Sequence, residues 1–388
     1  MIPASAAIAG IGATEFSKDS GRSELRLAVE ACRAALDDAG LTPADVDGLV
    51  TFSMDSTAEI AVARELGAGE LTFFGLIGYG GGAACATVHH AAMAVATGAA
   101  NAVLCYRALN ERSGRRFGQV ATGAVQGMTS SAVDSGWHYP MGLATPAATV
   151  AMTARRYMHA YGATSADFGA VAVADRKHAA TNPAAWFYQR PITLADHQES
   201  RWICEPLRLL DCCQETDGAV AVLVTSLSRA RSLRRSPVVI RAAAQGSGAD
   251  QFTMTSYYSR DLTGLPEMGV VGRPLWRQAD LAPGDIRTAV LYDHFTPYVL
   301  MQLEELGFCP RGEARHFIAG GTIELGGALP LNPHGGQLGE GYLHGMNGIA
   351  EAVRQVRRTS VNQVEGDGPV VVTAGTGVPT SGLILGPD

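Results

Sequence analysis

The sequence predicts an α/β protein built from two similar halves, and three observations carry that reading. A chain of 388 residues has room for two or three domain-sized units. Helical spacing of apolar residues alternates along it with short β-type runs. One phrase also occurs twice, each time feeding an apolar run: Leu41-Thr42-Pro43-Ala44-Asp45-Val46-Asp47-Gly48-Leu49-Val50, then Leu281-Ala282-Pro283-Gly284-Asp285-Ile286-Arg287-Thr288-Ala289-Val290. The Leu, Pro and Asp coincide and Val46 answers Ile286 in kind, which points to a duplicated α/β unit.

The elements follow in order. Residues 1–16 carry no basic start and read as a first strand, not a secretion signal. Ser23 caps a helix in which Leu25, Ala28, Val29, Cys32 and Leu36 share a face, and Gly40 ends it. The stretch from Ala83 to Cys105 is the most apolar, but His89, His90, Gly98 and Asn101 make it too polar to span a membrane. The segment from about 110 to 202 is rich in Gly, Thr, Tyr and Pro and reads as an inserted loop subdomain holding a helix from Pro146 to Tyr161. Pro237-Val238-Val239-Ile240-Arg241 opens the second half, so the halves run 1–235 and 236–388.

Composition narrows the function. A hydrophobic share of 47% and a charged share of 17% are ordinary for a soluble globular chain. The net charge of −7 leaves no broad basic surface for nucleic acid or an anionic membrane. A ligand carrying phosphates would need a local cluster; Arg112-Ser113-Gly114-Arg115-Arg116 is one candidate, and equally a solvated loop. Trp137-His138-Tyr139-Pro140-Met141-Gly142 could face an apolar acyl group or simply pack its subdomain. Seven scattered cysteines, an odd number, read as reduced thiols of a cytoplasmic protein. No His, Cys, Asp or Glu grouping has metal-ligand spacing, and His89 and His90 read as helix packing.

Four motifs carry a resemblance across the whole chain: Arg176-Lys177-His178-Ala179-Ala180-Thr181-Asn182-Pro183, Asp217-Gly218-Ala219-Val220-Ala221-Val222, Asn332-Pro333-His334-Gly335-Gly336, and Gly341-Tyr342-Leu343-His344-Gly345. Together they resemble the thiolase superfamily, in its branch of sterol carrier protein X thiolases and lipid-transfer proteins. The resemblance implies a duplicated five-layer αβαβα fold with a loop subdomain, dimerising through its core.

The departures from the thiolase pattern are informative. The nucleophilic Cys of a thiolase opens the helix that ends Ala96-Thr97-Gly98, and that position is Gly81 here; Cys85 lies a turn later, facing packing. Asn-Glu-Ala-Phe becomes Tyr292-Asp293-His294-Phe295, Gly-His-Pro becomes Gly341-Tyr342-Leu343, and the second Cys, before Gly375-Thr376-Gly377, becomes Thr373. Two tyrosines at catalytic positions are similar to the aldolase-type lipid-transfer proteins of bacterial steroid side-chain degradation. That resemblance implies retro-aldol cleavage of a β-hydroxyacyl-CoA with a tertiary alcohol, giving a ketone and propionyl-CoA. It also implies a small OB-fold acyl-CoA-binding partner, and coenzyme A as part of the substrate with no separate cofactor.

Such a reaction needs a base for the hydroxyl proton, stabilisation of a thioester enolate and an acid for Cα, but no covalent nucleophile. Tyr292 and Tyr342 are the candidate acid–base pair. A free phenol titrates near about 10, so a tyrosine base needs a cation or donors beside it; His294, His334 and His344 are the candidates. Backbone N–H groups at Gly80, Gly81 and Gly82 could hold the thioester oxygen, the space vacated by the missing Cys being free, with Asn332, Gly335 and Gly336 as further oxyanion or CoA contacts. Asp293 could orient His294 or Tyr342, or merely cap a turn. The alternatives are an acyl transferase or thiolase with another nucleophile, and a non-catalytic acyl-CoA- or lipid-binding subunit.

Overall fold

The computed structural model describes residues 5–78, 80–114, 116, 136, 138–251, 259, 261–376 and 380–388. Its strands are β1 (Ala6–Ala13), β2 (Gly48–Phe52), β3 (Phe73–Ile77), β4 (Ala102–Asn110), β5 (Trp202–Cys204), β6 (Leu207–Arg208), β7 (Asp217–Ser226), β8 (Val238–Gly246), β9 (Thr288–Val290), β10 (Val370–Ala374) and β11 (Thr380–Pro387). The helices that place the site are α1 (Glu24–Ala39), α2 (Ala84–Thr97), α3 (Pro146–Tyr161), α4 (Ser165–Thr181), α5 (Pro266–Ala279), α6 (Thr296–Glu305), α7 (Gly336–Gly339) and α8 (Met346–Arg357). The first follows its sequence signals: Arg26 N–H donates to Ser23 Oγ, and Gly40 closes the helix at φ 77°, a conformation open to glycine.

The duplication is built into the sheet. Its nine strands run in the order β3-β2-β4-β7-β1-β8-β11-β10-β9. At the centre β1 and β8 share a short antiparallel ladder, Ala7 opposite Val239 and Ile8 opposite Val238. Outward from there the same pairings recur, antiparallel, antiparallel, then parallel: β1–β7–β4–β2 on one side and β8–β11–β10–β9 on the other. The repeated phrase sits before β2 and before β9. In each copy the Asp accepts from the backbone N–H three residues earlier, Asp45 from Thr42 at 2.9 Å and Asp285 from Ala282 at 2.7 Å.

Period-two alternation then sorts side chains into layers. Ala7, Leu104, Tyr106 and Leu223 face α1 on the outside. Ile8, Val103 and Val222 face inward, and Val372 and Leu383 of the second strand set face the same inner layer, which is filled by α2 and α8. Val371 and Ile384 point outward to α5. The order is α, β, α, β, α, as the resemblance implies. Among the described residues no helix is long and apolar enough to cross a membrane.

Candidate active site

The chain leaves β9 at Val290 and reaches Tyr292 two residues later, where three side-chain bonds fix the backbone. Tyr292 N–H donates to Thr373 Oγ1 (2.9 Å), Thr373 Oγ1 donates to Gln302 Oε1 (2.7 Å), and Gln302 Nε2 returns a bond to the Tyr292 carbonyl (2.8 Å). All three residues are buried. Thr373 thus clamps the tyrosine, and Gln302 on α6 completes the clamp. Neither Gln302 nor this use of Thr373 could be read from local sequence.

The phenol of Tyr292 lies over the start of α2. A Cβ built on Gly81 would stand 2.1 Å from Tyr292 Oη and 2.4 Å from its Cζ, closer than non-bonded atoms approach. The space vacated by the missing Cys is therefore not free for the thioester oxygen, as expected from sequence; Tyr292 fills it. A side chain at 81 and the phenol of Tyr292 cannot share this space. Tyr292 Oη donates to Tyr342 Oη at 3.2 Å, and because a hydroxyl can both donate and accept, the bond can run in either direction. Burial raises both phenols well above their usual value, and the nearby carboxylate of Glu111 adds to it. Both are neutral hydroxyls around neutral pH.

Among the described residues, these groups line a cavity of ≈ 690 Å³ that also takes in Gly80, Gly81, His294, His344 and Thr376, a size usual for small-ligand sites. Met54, Pro146, Ile203, Leu209 and Phe295 give it apolar wall. Lys18, Glu111, Arg112, Arg116, Arg201 and Glu215 give it charge. Arg116 and Arg112 both pair with Glu215, at 2.6 and 3.6 Å. Burial, with Arg112 nearby, lowers Lys18 to about 8. Arg115 and Trp137 lie outside the described residues, as does Gly377; Tyr139 and Met141 are exposed and do not line the cavity.

Of the two kinds of help expected from the histidines, a cation or a hydrogen-bond donor, burial removes the first. Burial pushes His294 to about 3 and His344 well below its usual value, so both wall groups are neutral. His334 is off the cavity: it is also pushed to about 3 by burial, with Nε2 3.8 Å from Glu340 Oε2.

The late glycine-rich motif serves packing. A Cβ on Gly335 would meet Ala179 Cβ of α4 at 2.5 Å, and one on Gly336 would meet Asp293 Oδ2 at 2.0 Å. Asn332 is fully buried at φ 45°, with Nδ2 3.5 Å from Asp175. Asp293 does not orient His294 or Tyr342; it caps α7, accepting from the N–H groups of Gln337 (2.8 Å) and Leu338 (3.0 Å). Burial, then the neighbouring Asp293, raises Asp175 well above the usual carboxylate range. Gly82 is spent against the backbone of Gly375, whose Cβ would come within 2.2 Å of Gly82 Cα. That leaves Gly80 and Gly81 at the cavity wall.

A cysteine mechanism finds no support in the geometry. Cys85 is fully buried, its Sγ 3.7 Å from the Val372 carbonyl, and burial raises its thiol far from the thiolate range. Cys213 reaches the cavity wall, but burial and Glu111 raise it well above its usual value.

Fold and site together define a thiolase-type scaffold with a buried, hydrogen-bonded pair of phenols at its cavity. The chain belongs to the thiolase family: its N-terminal domain model matches residues 5–228 and the thiolase C-terminal domain-like model matches residues 247–385. It is 70% identical over 386 residues, covering 100% of both chains, to 17-hydroxy-3-oxo-4-pregnene-20-carboxyl-CoA lyase of Mycobacterium tuberculosis. It is 67% identical, over 100% of this chain and 99% of the other, to a steroid side-chain-cleaving aldolase of Thermomonospora curvata. Among solved structures, the Ltp2-ChsH2(DUF35) aldolase superposes with a TM-score of 0.96 at 66% identity, covering 100% of this chain and 99% of that one.

Proposed function

We propose that the protein cleaves a steroid side-chain β-hydroxyacyl-CoA by a retro-aldol reaction, using Tyr292 and Tyr342 as its acid–base pair. One observation carries the reading: the Tyr292 phenol, bonded to Tyr342, occupies the volume of a Cys side chain at position 81. A site built this way has no room for a cysteine at position 81 but holds two proton-carrying groups at its wall.

The 70%-identical lyase supports the substrate class. Its name puts a hydroxyl on carbon 17 and the CoA-bearing carboxyl on carbon 20, bonded neighbours in a pregnane skeleton. The hydroxyl is then β to the thioester and its carbon is tertiary. As the hydroxyl loses its proton, an electron pair on that oxygen forms the second bond of the ketone and the bond between carbons 17 and 20 breaks. Its electron pair passes to the thioester enolate, and Cα takes a proton to give propionyl-CoA. The net proton movement is from alcohol oxygen to Cα. Two neutral phenols joined by a hydrogen bond can pass it along, one accepting as the other donates, without a standing phenolate. Each positioned acid–base group typically contributes about 10²- to 10⁴-fold.

Coenzyme A enters here as part of the substrate, with no separate cofactor, in a cytoplasmic enzyme. Homodimerisation belongs to the same reading. Among the described residues strand β3 pairs only with β2, and it leaves Phe74 and Leu76 exposed, an apolar edge suited to pairing with a second copy. The DUF35 component in the name of the 66%-identical structure favours a partner protein, which we assign to the OB-fold acyl-CoA-binding class.

The test incubates the purified chain, alone and with a DUF35-type partner, with the 17-hydroxy steroid CoA ester. Mass spectrometry should find the 17-ketone and propionyl-CoA in equal amounts. Tight binding of the ester without either product, under every partner condition, would favour a binding subunit instead.

A further inference from the structure

Arg107 stands in β4, a strand that is buried along nearly its whole length, and is itself 1% exposed. A guanidinium in such a place must be paired. Its Nη1 lies 2.9 Å from Asp55 Oδ2. Asp55 is held in turn by the N–H groups of Thr57 (2.8 Å) and Ala108 (3.1 Å). On its other side Arg107 Nε donates to His344 Nδ1 at 3.1 Å. The Phe52 ring packs against both, 5.4 Å from the guanidinium carbon and stacked on the imidazole at 5.9 Å.

This chain of contacts decides a tautomer. Arginine has only donors, so Nδ1 of His344 must be the acceptor. The ring's single proton is then on Nε2. That nitrogen lies at the cavity wall: a Cβ built on Gly80 would stand 3.0 Å from it, and the Tyr342 ring meets the imidazole edge-on at 5.1 Å.

We propose that Asp55 and Arg107 are positioning residues that hold His344 as a fixed Nε2–H donor to the thioester oxygen, where enolate charge develops. The inference rests on the retro-aldol reading above. Besides Arg107, the groups facing the imidazole among the described residues include His294, Tyr342, Phe52 and Gly80; burial, then Arg107 and His294, disfavours a second proton on the ring. A donor that cannot transfer its proton stabilises the enolate without quenching it, and one such preorganised donor is typically worth about 10²- to 10³-fold in kcat.

The experiment compares His344→Gln, His344→Ala and Arg107→Met in the form of the protein, with or without partner, in which wild type turns over. Gln carries an N–H near the Nε2 position, so H344Q should stay within about tenfold of wild type. H344A should lose about 10²- to 10³-fold in kcat with little change in KM. ¹⁵N NMR of histidine-labelled protein, with H344Q assigning the signal, should show His344 protonated on Nε2 alone and unchanged from about pH 5.5 to 8.5, where an ordinary histidine titrates. A folded Arg107→Met should lose that fixed tautomer and as much kcat as H344A, and adding H344A to it should cost nothing more. If Arg107→Met does not fold, the tautomer and the Gln–Ala comparison decide the matter.

An imidazolium or an Nδ1-protonated ring would overturn the inference, as would full kcat in H344A. Cleavage by wild type alongside an unimpaired H344A sinks this inference and leaves the retro-aldol reading standing. No cleavage by wild type removes the donor's role, while the NMR signal still reports whether Arg107 sets the tautomer.

Discussion

Gly81→Ala should cut kcat by at least about 10²-fold while leaving the protein folded at a lower melting temperature. Gly81 has no backbone conformation reserved for glycine, and it starts the turn that leads into α2, so alanine is tolerated by the main chain. Its methyl carbon, however, would come within 2.1 Å of Tyr292 Oη. Tyr292 cannot retreat easily, because Thr373 and Gln302 hold its backbone on both sides. The phenol must rotate away, breaking its bond to Tyr342. Overpacking of this kind costs about 1–3 kcal/mol in stability, a shift that thermal melting would read. In kcat we expect a loss of at least about 10²-fold, the contribution of one positioned acid–base group. Pairing it with Tyr292→Asn should restore the melting temperature without restoring activity, since the clash is removed along with the phenol. If G81A melts and turns over like wild type, the contact between position 81 and Tyr292 is not what shapes this site.

The second large effect is expected from Tyr292→Phe and Tyr342→Phe. Each removes one hydroxyl of the 3.2 Å pair and should lower kcat by about 10²- to 10⁴-fold. The double variant should be little worse than either single one, because the two act as a unit. The pH profile separates a relay from a phenolate base. Burial raises both phenols above the usual value of about 10, so the neutral forms persist as pH rises through that range. A relay between neutral phenols therefore predicts kcat that is flat from about pH 7 to 9.5. A rise of about tenfold per pH unit across the same window would mean that a phenolate must form first.

Much of this architecture was legible in the sequence, because its signals are local. Ser23 and Gly40 bound α1 as cap chemistry requires, and the Pro-x-Asp phrase marks both copies of the unit. Tyr292 and Tyr342 were legible as candidates only through motif positions, fifty residues apart in the chain. What those motifs could not show was direction. Asn332, Gly335 and Gly336 fit a glycine-rich active-site pattern, yet Asn332 turns to Asp175 of α4, and Gly335 and Gly336 lie against α4 and Asp293, where a Cβ has no room. The histidines looked like cations because sequence reports residue type and not burial. The Arg107–His344 contact joins residues 237 positions apart, beyond any local pattern. One signal for it was available: an arginine inside the apolar run of β4, where an unpaired charge could not stay.

The measurement that tests the central claim most directly is a single turnover with free coenzyme A removed. Enzyme in excess is mixed with the 17-hydroxy steroid CoA ester, and both the products and the intact protein are followed by mass spectrometry. Cleavage without a covalent nucleophile predicts ketone and propionyl-CoA in a one-to-one ratio, no need for added coenzyme A, and a protein mass that never changes. A transient acyl adduct on the protein, or product only when free coenzyme A is supplied, would contradict the account and return the site to thiolase chemistry.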